Sequence, residues 1–76
     1  MVRTSLNPYK ELANGIILRA AKDYRRALRI QRRYPWSEIA EVRIDEIEGF
    51  FHSEWYEVLT EVDGEMLMEK LREEYR

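Results

Sequence analysis

His52, the single histidine of this 76-residue chain, follows Glu48 by one helical turn. At that spacing an imidazole and a carboxylate sit on one face of a helix, in reach of acid–base work or of a shared metal ion. The pair supplies at most two ligands, short of the three protein ligands that a catalytic zinc site uses, so His52 is expected to be a structural residue beside aromatic neighbours. The chain has no cysteine, hence no thiolate nucleophile, thiolate metal site or disulfide framework. Gly15, Gly49 and Gly64 are isolated and belong to no phosphate-binding loop. The expectation is a protein without enzymatic activity, cofactor or metal.

The remaining chemistry is electrostatic. Net charge is −2, but between residues 19 and 33 seven cations stand against Asp23 alone, a local balance of +6. From Tyr34 onward thirteen acids stand against four cations, a balance of −9. Arg19, Lys22, Arg26, Arg29 and Arg33 recur at spacings of three and four, with Arg25 and Arg32 beside them, and such a stripe can follow a phosphate backbone. The same cations also complement a helix C-terminus and can pair with acids elsewhere in the chain. No helix carries the short polar residues that read base edges. Glu38, Glu41, Asp45 and Glu48, joined by Glu54, Glu57 and Glu61, form an opposing acidic surface that would steer association with a basic protein groove.

Asp23 and Arg43 each project toward the apolar side of their own helices. Two readings follow: they meet as an interhelix ion pair that fixes register, or Arg43 lays its stem on the core and its head in water.

The elements that position these groups are helical throughout. Asn7-Pro8 has the form of an N-cap and first helical residue. Tyr9, Leu12, Ala13, Ile16, Ile17, Ala20, Tyr24, Ala27 and Gln31 then mark one side of a long helix ending near Arg33 or Tyr34, with Asn14-Gly15 a site of bending. Pro35 stops that helix and opens a second, whose stripe is Trp36, Ala40, Ile44, Ile47 and Phe51, flanked by Ile39 and Phe50. Ser53 caps a short helix through Trp55, Val58 and Leu59, and Asp63 caps a last one carrying Met66, Leu67, Lys70, Leu71 and Tyr75. Short connections favour antiparallel neighbours, so the predicted fold is all-α: a small antiparallel bundle of three main helices and one short helix, one domain over residues 1–76 with a flexible start at 1–7. Trp36, Phe50, Phe51, Trp55 and Tyr56 are expected to form an aromatic knot in the core. Leu18, Ile30 and Val42 are surplus apolar positions through which copies of the chain could associate.

The run from Asn14 to Leu28, with the blocks Phe50-Phe51-His52-Ser53-Glu54-Trp55-Tyr56 and Leu59-Thr60-Glu61-Val62-Asp63-Gly64-Glu65, resembles a group of small proteins from phages and mobile elements of Firmicutes-type bacteria. The resemblance covers most of the chain from Asn14 to Arg72 and brings no catalytic residue with it. It implies a setting in which small acidic proteins often inhibit host defence, anti-CRISPR proteins among them. With no apolar leader in Met1–Ser5 and no apolar run of about 20 residues, the expected location is the bacterial cytoplasm, without membrane association. The expected role is binding and inhibition of a basic nucleic-acid-processing protein, such as a CRISPR effector nuclease, through the acidic face Glu38, Glu41, Asp45, Glu48, Glu54 and Glu57. The alternatives are nucleic-acid binding by the arginine stripe and a structural, self-associating helical subunit.

Overall fold

A computed structural model describes residues 7–75, which form four α-helices: α1 Pro8–Arg33, α2 Glu38–Phe51, α3 Glu54–Leu59 and α4 Gly64–Glu73. No strand occurs among the described residues, in agreement with the predicted all-α bundle. Apart from Asn7, the flexible start expected at 1–7 lies outside the described residues.

Each helix is started by a side chain that satisfies otherwise unpaired backbone N–H groups. Asn7 Oδ1 accepts from the N–H of Tyr9 at 3.0 Å and of Lys10 at 3.2 Å, with Pro8 at the first helical position. Ser53 Oγ accepts from Tyr56 N–H at 3.1 Å while donating to the Phe50 carbonyl at 2.6 Å, which folds the end of α2 into the start of α3. Asp63 Oδ1 accepts from Glu65 and Met66 N–H at 2.9 and 3.4 Å. The second helix starts later than Pro35. Ser37 is its cap, accepting from Ala40 N–H at 3.2 Å, and Pro35 and Trp36 lie in the turn before it.

The core is a cluster on which all four helices converge: Tyr24, Ala27 and Leu28 from α1, Ile44 and Phe51 from α2, Tyr56 from α3, Met68 and Leu71 from α4. Alanines at 13, 21, 27 and 40 are buried and let helix backbones approach closely. The aromatic knot forms around Phe50, whose ring meets those of Phe51, Trp55 and Tyr56 at 5.4–5.7 Å, and Tyr24 joins through Phe51 at 6.0 Å. Trp36 is not in it. The indole is 77% exposed and meets only the Tyr34 ring, at 5.9 Å. The reason is distance: Trp36 precedes the cap of α2, whereas Phe50-Phe51 close it, and fourteen helical residues separate the two ends by roughly 21 Å.

The three glycines differ in what surrounds them. Gly15 and Gly49 lie inside helices that continue through them, with open space where a Cβ would stand, so neither ends its helix. Gly64 begins α4 against the end of α2, and a Cβ there would lie 2.4 Å from the Phe51 carbonyl oxygen. Gly15→Ala and Gly49→Ala should each raise stability by about 0.5–1 kcal/mol, because alanine narrows the unfolded ensemble and suits a helix interior. Gly64→Ala should lower it. Urea denaturation of the three variants checks the pattern, and a Gly64→Ala protein as stable as its parent would contradict the close approach.

Candidate functional site: two charged faces and the network between them

The charged positions sort into two exposed faces and one internal network. On α1, Arg19, Lys22, Arg26, Arg29 and Arg33 point away from the buried side of the helix and all five are exposed. Arg25 and Arg32, beside the stripe, are used internally. The Arg25 guanidinium donates to both oxygens of Glu74, at 2.9 and 3.2 Å, and Arg32 Nη1 donates to the Tyr75 carbonyl at 2.5 Å, tying the end of α4 to α1. This pairing holds the Glu74 carboxyl below its ordinary range and raises the guanidinium of Arg25. Arg33 leans on Tyr34, donating to its hydroxyl at 3.2 Å, and Arg19 lies 3.9 Å from Asp23. Among the described residues Lys22, Arg26 and Arg29 have no ion pair, and all three are exposed.

On α2 the outward direction is taken by Val42, 54% exposed, with Glu38 and Asp45 flanking it and Glu41 on the same side. Ile39, 75% exposed, borders the row from the other flank. Glu38, Glu41 and Asp45 are exposed and form no ion pair among the described residues. Glu48, counted with them by spacing, is withdrawn from the row because it faces the junction of α1 and α4. Glu54 and Glu57 are exposed on α3, and Glu57 lines a groove beside the first turns of α1 instead of extending the α2 row.

The network was not legible from spacing. Tyr24, fully buried on α1, donates its hydroxyl to Glu48 Oε2 at 2.6 Å and accepts from Arg72 Nη1 at 3.2 Å. The same Arg72 nitrogen lies 3.5 Å from Glu48, and Nη2 reaches Glu69 at 3.0 Å and Glu65 at 3.4 Å. Glu65 in turn meets His52 Nε2 at 2.8 Å. Burial, then the bond to the Glu48 carboxylate, pushes the Tyr24 phenol up to about 12. Hydrogen bonds to Tyr24 and Glu69 hold Arg72 in its charged form. His52, then Arg72, keep the Glu65 carboxyl below its ordinary range. A phenol shifted upward is a poorer proton donor at neutral pH, and its two bonds fasten α1 to α2 and α4. The His52 imidazole belongs to the network through Glu65, while its tie to Glu48 is the backbone bond from the His52 N–H to the Glu48 carbonyl at 3.0 Å. Among the described residues no group of three or more His, Asp or Glu side chains is placed to hold a metal ion.

The expected pair of Asp23 and Arg43 does not form. Both residues lie roughly 80–100° from the middle of the buried arcs of their helices, far enough round for each to reach water. Asp23 is half exposed with Arg19 as its only cation among the described residues, and Arg43 is exposed. With neither group desolvated, nothing compels them to meet. Leu18, Ile30 and Val42 are exposed but scattered: the first two stand about 120° apart on α1 and the third lies on α2, so they do not make one surface.

Comparison with protein families, curated proteins and solved structures finds no match to this chain. No described helix is long and apolar enough to cross a membrane. The class defined by fold and site is therefore a small all-α bundle carrying two separated, oppositely charged faces.

Tyr24 and Tyr56 offer a test of the network. Both are 2% exposed or less, but among the described residues the Tyr56 hydroxyl has no hydrogen-bond partner whereas Tyr24 has two. Tyr24→Phe should cost about 1–2 kcal/mol, and Tyr56→Phe should be neutral or stabilising because it removes a buried, unpaired hydroxyl. A folded-state value of about 12 against an ordinary 10 means that the unfolded chain ionises first, so stability present below pH 10 is lost as pH rises toward 12. That loss amounts to about 2–3 kcal/mol. Alkaline unfolding followed by circular dichroism should be shallower in Tyr24→Phe than in the parent; parallel curves would remove the assignment.

Proposed function

We propose that this protein is a non-catalytic binding module that docks the outward face of α2 onto a basic surface of a nucleic-acid-processing protein and blocks that surface. The observation carrying the reading is the composition of the α2 face: Glu38, Glu41 and Asp45 form an exposed row bordered by exposed Val42 and Ile39, and among the described residues these acids have no ion pair. Carboxylates at these spacings steer a cationic groove toward the protein, while the bordering apolar side chains supply the desolvated contact that holds it. Glu54 and Glu57 contribute to the long-range field from α3. The setting of host defence, with a CRISPR effector nuclease as the partner, is supported by the sequence resemblance to phage and mobile-element proteins. The bacterial cytoplasm is the compartment in which such a partner is met.

A second reading is favoured by a separate observation: among the described residues Lys22, Arg26 and Arg29 have no ion-pair partner. These cations, with Arg19 and Arg33, run along about 21 Å of helix and could track a phosphate backbone without reading bases.

The acidic-face reading predicts inhibition of nuclease cleavage that weakens as ionic strength rises from about 0.1 to 0.3 M. Glu38→Gln, Glu41→Gln and Asp45→Asn combined should reduce inhibition at least tenfold while leaving helicity unchanged, and a triple variant inhibiting like its parent would end this reading. The basic-stripe reading instead predicts gel shifts of DNA or RNA at low salt, lost when Lys22, Arg26 and Arg29 become alanine. Failure to shift any single- or double-stranded nucleic acid at low salt would dismiss it.

A further inference from the structure

The turn between α1 and α2 holds two aromatic rings out in water. Trp36 is 77% exposed and Tyr34 45%. The turn that carries them is rigid: the Tyr34 carbonyl accepts from the Ser37 N–H at 2.9 Å, and Pro35 fixes the backbone between them. The two rings meet edge-on, with centroids 5.9 Å apart and planes at 75°. Such a contact covers at most one face of the indole and leaves the other open. The same turn closes the cationic stripe. Arg33 Nε donates to the Tyr34 hydroxyl at 3.2 Å, and its guanidinium lies 5.7 Å from the centre of that ring. Arg29 stands one helical turn behind, followed by Arg26 and Lys22, and among the described residues none of these four cations has a carboxylate partner. Beyond Trp36 the sign reverses, with Glu38 and Glu41 exposed in the first turn of α2.

We propose that Trp36 is a base-stacking platform that makes the cationic stripe selective for single-stranded nucleic acid. This rests on the phosphate-tracking reading of the stripe and names the form of nucleic acid it takes. Phosphate contacts alone do not tell a single strand from a duplex. An exposed indole does, because a base inside a duplex is already stacked on its neighbours, whereas an unpaired base is free to lay its π face on the ring. Arg33 and Arg29 then neutralise phosphates beside the stacked base. A ring held by a rigid turn loses little freedom on binding, so the contact is not offset by ordering. The surroundings of the indole favour a polyanion over a protein, since Trp36 is joined through Tyr34 to Arg33, the last cation of the stripe. Glu38 and Glu41 set the limit of the surface. Their carboxylates repel phosphate, so the bound strand lies along α1 and does not continue across α2.

Fluorescence anisotropy of the full chain with labelled oligothymidylate of about 12 nucleotides, and with a blunt duplex of the same length, tests this at about 50 mM salt. The expected result is tighter binding of the single strand. Trp36→Ala should weaken that binding about tenfold and leave duplex binding unchanged, and Trp36→Phe should retain most of it. Both variants should keep the parent's helicity, because the indole lies outside the core. In Trp55→Phe, where Trp36 is the one remaining indole, oligothymidylate should quench the emission. Oligothymidylate bound equally well by Trp36→Ala, or bound without any change in Trp36 emission, would overturn the platform and leave the stripe reading standing. Binding of neither single strand nor duplex would overturn both, and a loss of nuclease inhibition in Trp36→Ala would then assign the indole to a protein contact.

Discussion

A phenol removed wholly from water must find hydrogen-bond partners inside the protein, and the way Tyr24 does so organises the bundle. Its hydroxyl donates to Glu48 of α2 and accepts from Arg72 of α4, so one side chain of α1 links the three main helices at a point. Either partner alone would leave a charge facing the core without compensation. Together the carboxylate and guanidinium neutralise each other across the phenol, and Glu65, Glu69 and His52 extend the network toward solvent. The ring of Tyr24 meanwhile packs on Phe51, which brings the aromatic cluster to the same junction.

The charge distribution of the surface follows from that junction. Withdrawing Glu48 and Arg72 into the network, and Arg25 and Glu74 into a clasp between α1 and α4, uses the charges that lie near helix contacts. What is left outside is segregated by helix: cations along α1, carboxylates on α2 and α3. Small size sharpens the effect. A domain of this length has limited core with which to offset repulsion among like charges, so the exposed rows are either solvated at a cost or answered by a partner. The acidic row is bordered on one flank by exposed Val42 and Ile39, which a merely solvating surface has no need of.

Much of the fold could be read from local chemistry. Asn7, Ser53 and Asp63 as caps, the all-helical class and the long α1 are consequences of interactions within four residues along the chain. Where the reading failed, the deciding interaction was remote in sequence. Glu48 shares its spacing with Glu38, Glu41 and Asp45, and only the docking of α4 distinguishes it. Asp23 and Arg43 sit on the borders of their stripes, where a modest rotation of each helix decides between pairing and solvation. Trp36 matches the period of α2 but falls before its cap, so the turn holds it outside.

The sequence by itself determined that this protein is a set of capped, amphipathic helices with its charges divided along the chain, because propensity, capping and periodicity act over a few residues and need no knowledge of neighbours. Only the tertiary structure decided which charges are internal, which apolar residues find cover and where a groove is left. Those outcomes depend on the lengths of packed helices and on which side of each meets another. Two apolar stretches of α1 differ in fate because one packs against the long α2 and the other, at the start of the helix, faces the six-residue α3.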